Sequence, residues 1–368
     1  MTVGDLAAAE DVADDKAVLD YVGALTVTRA SDITQRNIQW LWPNRVALGK
    51  ITGIAGPPDQ GKSQIAVSIA AMVTTGGDWP DGGRAPLGSV VILSAEDDAA
   101  DTTVPRLTAA GADLSRVHLV EALLTFDEGH RMFSIKHDLA RLEELMATIA
   151  DLKLVIVDPI SAYMGVGSVD TFKASDVRAV LAPLANIAAK AGVAVVFVTH
   201  FNKGNSSKSI NRVMDSVAFT ALARSFWAVV SEKVGGTETR RKLMVRIKQN
   251  IAAPVGGLAY EIEGVTLDNG VTTSRIHWHE RVEMTADEVL AAQETPAAAP
   301  KRNEATSFVL TALKEGPIES KALLKLAAEN GISEATLRRA KAALPLRNFK
   351  DGKWYVELIE EDTHEDDE

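Results

Sequence analysis

The sequence predicts an α/β fold, a parallel sheet with helices on both faces, and three observations carry that prediction. Near-continuous apolar runs of strand length recur along the first half of the chain. Helical patterns separate them, and the first run leads straight into a glycine-rich turn that opens a helix. An unbroken apolar run is what a strand buried on both faces requires, because successive side chains point into opposite layers.

Taken in order, the buried-strand candidates are Ile51–Ala55, Ser89–Ser94, Val117–Glu121, Leu154–Asp158 and Val193–Thr199. Asp138–Asp151 and Asp176–Ala191 read as helices between the later runs. Ser225–Val230, Leu243–Lys248 and Ala259–Glu263 lie closer together, with turn signals at Gly235-Gly236 and Pro254-Val-Gly-Gly257. They predict an antiparallel extension at one sheet edge. Residues 1–30 form an acidic leader in which Ala7–Tyr21 reads as a marginal helix, and 31–284 form the large domain. Residues 285–303, with Thr295-Pro-Ala-Ala-Ala-Pro300, read as a stiff extended linker. A compact second domain is expected over 304–358 and a solvated acidic tail over 359–368.

The apolar fraction of 46% is that of a soluble globular protein with a sizeable core. With no cysteine, a disulfide framework and a thiolate metal site are excluded. The N-terminus shows no signal segment and the chain no apolar run of about 18 residues. A cytoplasmic protein with no membrane partner is therefore expected. The net charge of −11 argues against an extended basic face, although much of the acid sits in the two terminal arms.

The most informative motif is Gly56-Pro57-Pro58-Asp59-Gln60-Gly61-Lys62-Ser63, followed by Gln64. It fits the phosphate-binding loop GxxxxGK[ST], between a strand and a helix. Its glycines let the backbone wrap a phosphate closely, and the helix N-terminus favours the anion. Lys62 supplies a charge for the β- and γ-phosphates of ATP, and the Ser63 hydroxyl is placed for Mg²⁺. Leu154-Val-Ile-Val-Asp158 ends a strand in a carboxylate able to hold a water on that Mg²⁺. The run Ser89–Ser94 leads into Ala95-Glu96-Asp97-Asp98, where Glu96 is the candidate general base and Asp97 its competitor. Val193–Thr199 ends at His200, a group able to sense the γ-phosphate.

Together, the phosphate loop, Ala95-Glu96-Asp97, Asp158 and Thr199-His-Phe-Asn-Lys203-Gly resemble the RecA-like ATPases, and among them the RepA-type hexameric replicative helicases of plasmids, phages and mobile elements. The likeness covers about Ile33 to Arg281 and includes Gln39-Trp-Leu-Trp-Pro-Asn-Arg-Val-Ala-Leu-Gly-Lys50. It implies a RecA-like P-loop sheet and a ring, a hexamer by preference, whose ATP sites lie between subunits. It also implies Glu96 as base and His200 as sensor. Such rings need a cation from the neighbouring subunit at the transferring phosphate. Arg246 and Lys248, at i and i+2 of one strand, would share a face and look like paired fingers. Arg212 and Arg224, flanking a small-residue helix at Asp215–Ala223, are the other candidates. The polar, basic loop Phe201–Arg212 suits DNA phosphates through Lys203 and Lys208, or is a plain surface loop.

In the second domain, Phe308–Leu313, Ser320–Asn330 and Ser333–Leu344 read as three helices, with Ser333 as N-cap. An Asp351-Gly352 hairpin follows, the layout of a winged helix. Thr336, Arg338, Arg339 and Lys341 lie on surface positions of the third helix, as a recognition helix on DNA needs. Winged helices also dock proteins, so both partners stay open here.

Overall fold

The computed structural model describes residues 18–358 apart from the short stretches 23–24, 121–122, 126–128, 166–172, 203–208, 214–216, 235–236, 294–297, 315 and 343. The chain enters through two short ribbons, β1 (Val18–Val22) with β2 (Leu25–Thr28) and β3 (Trp40–Trp42) with β4 (Val46–Ala47). Then follow β5 (Ile51–Gly56), α1 (Lys62–Thr75), β6 (Ser89–Ser94), α2 (Val104–Ala109) and β7 (Val117–Val120). A small hairpin, β8 (Leu123–Thr125) with β9 (Gly129–Arg131), precedes α3 (Ile135–Thr148), β10 (Leu152–Asp158), α4 (Ala174–Ala191) and β11 (Ala194–His200). Helix α5 (Val217–Leu222) leads to the long strands β12 (Ser225–Val234), β13 (Thr237–Gln249), β14 (Gly257–Thr266) and β15 (Thr272–Val282).

Nine strands form one sheet in the order β15-β14-β13-β12-β5-β11-β10-β6-β7. The six from β12 to β7 run parallel, and β12 to β15 continue as an antiparallel meander. Period-two alternation divides the parallel strands between two cores. Val91, Leu93, Val155, Val157, Val195 and Phe197 pack on the α3–α4 side. Their neighbours Val90, Ile92, Leu154, Ile156 and Val196 pack on the α1 side. This mixed sheet flanked by helices is a RecA-like P-loop NTPase fold.

Two expectations need correction here. The reading of a helix reaching Tyr21 fails, because Val18–Val22 pairs antiparallel with Leu25–Thr28. The β-branched and aromatic residues there favour a strand over a marginal helix. The expected linker opens instead with α6 (Ala286–Gln293), whose Ala286, Val289 and Leu290 pack on Ala228, Val230, Leu243, Val245 and Ala259. A capping box starts that helix: Glu288 Oε2 accepts from the Thr285 N–H at 2.7 Å, and Thr285 Oγ1 from the Glu288 N–H at 3.3 Å. Strand β15 had no forecast; its Ile276 and Trp278 pack against the α1-side core and its Val282 against the cluster under α6.

The C-terminal residues build α7 (Ala298–Leu313), β16 (Ile318–Glu319), α8 (Ser320–Glu329), α9 (Glu334–Ala342), β17 (Leu346–Asp351) and β18 (Lys353–Leu358). Three strands in the order β16-β18-β17 join the three helices around a core of Val309, Leu313, Leu323, Leu337 and Val356. No helix among the described residues is long and apolar enough to cross a membrane.

Candidate active site

Four neighbouring parallel strands deliver the site to one edge of the sheet. In spatial order, β5 ends in the phosphate loop, β11 in His200, β10 in Asp158 and β6 in Ser94, two residues before Glu96. His200 stands in register with Gly56, and Asp158 with Ser94. A cavity of about 390 Å³ opens there, and Asp59, Lys62, Ser63, Glu96, Asp158 and His200 all face it.

The loop is shaped by its backbone. Gly61 has φ +81°, the left-handed region, and α1 begins at the next residue. A Cβ on Gly61 would also lie 2.8 Å from Ile262 Cδ1. Lys62 is only 6% exposed, and its Nζ donates to the Pro57 carbonyl at 2.7 Å. Burial pulls its pKa down, while Asp158, Glu96 and Asp59 act to raise it. Asp158 is the mirror case. Burial pushes it up to about 6, against a hydrogen bond donated by Ser63; Asp97 and Glu96 add to the rise. The two groups expected to serve Mg²⁺ thus already touch, and a second charge beside them would relieve a carboxylate that burial disfavours. The donor set fits a hard divalent cation.

The three consecutive acids after β6 separate cleanly. Asp97 Oδ2 accepts from Arg106 Nη1 at 2.5 Å. Asp98 caps the following π-turn (Ala99–Thr103), accepting from the N–H groups of Ala100 and Asp101. Glu96 is exposed, faces the cavity and makes no such bond. His200 is held towards the neutral imidazole by burial and by the nearby Lys62 charge.

Sequence reasoning missed the groups that brace the loop, which come from the antiparallel strands. Tyr260 is fully buried, and its hydroxyl donates to the Gln60 carbonyl at 2.5 Å. The Gln60 side chain accepts from Ser231 Oγ at 2.7 Å. With its amide oriented to satisfy its neighbours, Gln64 accepts from Ser274 Oγ at 2.7 Å and Arg106 Nε at 3.2 Å. Trp278 Nε1 donates to Ser68 Oγ on α1 at 2.9 Å. No local motif marks such residues; pairing across the sheet alone defines them.

The expected trans cations do not line this chain's cavity. The picture of Arg246 and Lys248 on one face is overturned. Phe226 pairs with Lys248 but Trp227 with Arg246, so a bulge at Ile247 breaks the alternation and sends the two cations to opposite faces. Lys248 Nζ donates to the carbonyls of Thr220, Ala221 and Ala223 at 2.6–3.1 Å, closing the C-terminal end of α5. Arg224 is exposed at the far end of β5, its N–H donating to the Ile51 carbonyl. Arg212 follows a short turn (Ser209–Asn211), and its carbonyl accepts from the Asn202 N–H. Lys203 and Lys208 lie outside the described residues. On α9, Arg338 is exposed and Lys341 half-buried, while the Arg339 side chain is outside the description. Thr336 is occupied at the helix start: its N–H donates to Ser333 Oγ, and the two hydroxyls lie 2.8 Å apart.

Residues 19–206, just over half of the chain, match the family model of the AAA domain. That match spans the phosphate loop, Glu96, Asp158 and His200, the groups gathered on the four strand ends. The chain therefore belongs to the AAA domain family and is an ATPase of the P-loop type.

Proposed function

We propose that this chain is an ATP-hydrolysing motor that acts on DNA, in the manner of the RepA-type hexameric replicative helicases. The observation that carries the reading is the order of the strand ends, phosphate loop, His200, Asp158 and Glu96 on consecutive strands. The loop amides and Lys62 would hold the ATP β- and γ-phosphates. Mg²⁺, held through Ser63 and Asp158, would neutralise charge on those oxygens. Glu96, unpaired at the cavity, takes the proton of the attacking water, while Asp97 is neutralised by Arg106. Neutral His200 at the end of β11 can donate its ring N–H to the γ-phosphate, and so pass its loss to the loop after residue 201.

Arg246, with Arg212 and Arg224, would serve the site of a neighbouring subunit, because none of them reaches its own cavity. Lys248 would hold α5 in place rather than enter a site. The C-terminal helices and hairpin support a winged helix that contacts DNA through Arg338, Arg339 and Lys341, with Lys203 and Lys208 serving single-stranded DNA in the ring. Residues 301–358 carry 11 Lys/Arg against 7 Asp/Glu in an otherwise acidic chain. Trp354, 58% exposed at the hairpin, adds a flat ring beside Lys321 and Lys353.

The test is ATP turnover with and without single-stranded DNA, together with strand separation on a forked duplex. Stimulated turnover and unwinding are expected, and Glu96→Gln should lower turnover by roughly 100-fold while ATP still binds. Unstimulated turnover with tight binding to one particular duplex would overturn the motor in favour of an ATP-switched regulator. Full activity in Glu96→Gln would remove the base.

A further inference from the structure

The mechanism above does not use Tyr260, although it is the largest buried side chain with a polar atom on the phosphate loop. It lies on β14, outside the matched residues 19–206. Its ring is 0% exposed and packs against Trp278 with centroids 5.5 Å apart. A phenol so deep needs a partner, and its partner is the carbonyl of Gln60 in the loop, at 2.5 Å. Burial holds the hydroxyl far above its ordinary pKa, so it stays a donor.

The consequence follows from the peptide unit. The Gln60–Gly61 bond is not among the cis bonds, and in a planar trans peptide C=O and N–H point in opposite directions. A carbonyl held towards Tyr260 therefore turns the Gly61 N–H away from β14. Gly61 itself faces the cavity, and its φ of +81° permits a flip of this unit that other residues would resist. Glycine gives the loop its reach but leaves this plane free to turn, and nothing within the loop fixes it. The Gln60 side chain is anchored separately by Ser231 Oγ, so backbone and side chain of one residue are tied to two strands of the extension.

We propose that Tyr260 is a positioning residue for phosphate binding: it locks the Gln60–Gly61 peptide so that the Gly61 N–H faces the site of the β-phosphate. The inference rests on the chain's binding of nucleotide and is independent of whether the motor works on DNA. The substitution Tyr260→Phe keeps the ring and removes only the donor. Calorimetric titration of the full chain with ADP and with inorganic pyrophosphate should show both weakened about tenfold, the scale of one hydrogen bond. The maximal turnover at saturating ATP should stay within about twofold of wild type, so that KM moves and kcat does not. Unchanged affinity for both ligands would overturn the proposal, as would a loss for ADP with none for pyrophosphate, which would move Tyr260 to the base. Ser231→Ala provides a second lever. It removes the shortest bond to the Gln60 side chain, keeping the 3.4 Å one from Lys242 Nζ, and leaves the carbonyl held, so pyrophosphate affinity should change less than in Tyr260→Phe; an equal or larger loss would assign the effect to general loosening of the loop.

Discussion

The two halves of the sheet divide the work of one site in different ways. The parallel half, β5 with β11, β10 and β6, places its groups by ending: each strand stops at the same edge with a polar residue or a loop. The antiparallel half, β12 to β15, contributes instead through side chains along its strands, such as Tyr260, Ile262 and Ser274. One half presents reactive groups, and the other holds the backbone that presents them. Substitution in the first half should therefore remove function and spare the fold, whereas in the second it should weaken both by small amounts.

The largest effect expected from this contrast is at Lys62. Lys62→Ala should abolish ATP binding in a titration while the melting temperature stays close to wild type, since the side chain bonds the loop carbonyl of Pro57 and its attraction to Asp158 and Glu96 is outweighed by the burial of its charge. A variant that melts much lower would show that the parallel half also carries stability through its strand ends.

Asp158→Asn sharpens the point, because function and stability should move in opposite directions. The folded pKa of about 6 lies above the unfolded value near 3.9, so between about pH 4 and 6 the unfolded chain gives up its proton first. Stability from this group is therefore present at low pH and lost as pH rises. Nucleotide-free Asp158→Asn should be more stable than wild type at pH 7 by about 2–3 kcal/mol, and equal to it below about pH 4. Denaturant titrations at the two pH values check this, and an asparagine variant less stable at pH 7 would contradict it.

Trp278→Phe, in the second half, should cost about 1–2 kcal/mol through the lost bond to Ser68 and the looser contact with Trp42. It should also raise KM for ATP slightly, because Ser68 belongs to the helix that begins at Lys62. The smallest effect belongs to the exposed pair Arg275–Glu263 on the outermost strands. Arg275→Ala should change stability by less than about 1 kcal/mol and leave turnover unaltered. A large loss there would make the edge of the extension an interface.

The same contrast explains what could be read in the sequence. Buried parallel strands such as Leu152–Asp158 announce themselves by apolar runs, here Leu154–Val157, and their terminal polar residue is the site residue. The phosphate loop, Glu96, Asp158 and His200 were legible for that reason. Strand Thr272–Val282 was not, since eight of its eleven residues are polar and its three apolar ones, Ile276, Trp278 and Val282, divide between two cores. Helix Ala286–Gln293 hid beneath an alanine- and proline-rich composition, although Thr285 and Glu288 had the spacing of a capping box. The shared face for Arg246 and Lys248 failed because a bulge leaves no mark in the side-chain pattern of its own strand. Tyr260 was invisible for a deeper reason, since its partner lies 200 positions away in sequence.

That separation has a consequence for synthesis. The loop Gly56–Ser63 emerges early, but the carbonyl of Val229 packs where a Cβ on Gly56 would sit, and Tyr260 and Trp278 complete the enclosure. At about 5–20 residues per second, the ribosome needs roughly ten to forty seconds to travel from the loop to Trp278. Until Ser225–Val234 has been made β5 lacks its β12 neighbour, and until Trp278 appears the enclosure of the phosphate loop is incomplete. ATP can therefore do little to draw the nascent chain together, and the first productive encounter with nucleotide waits until the meander has been made.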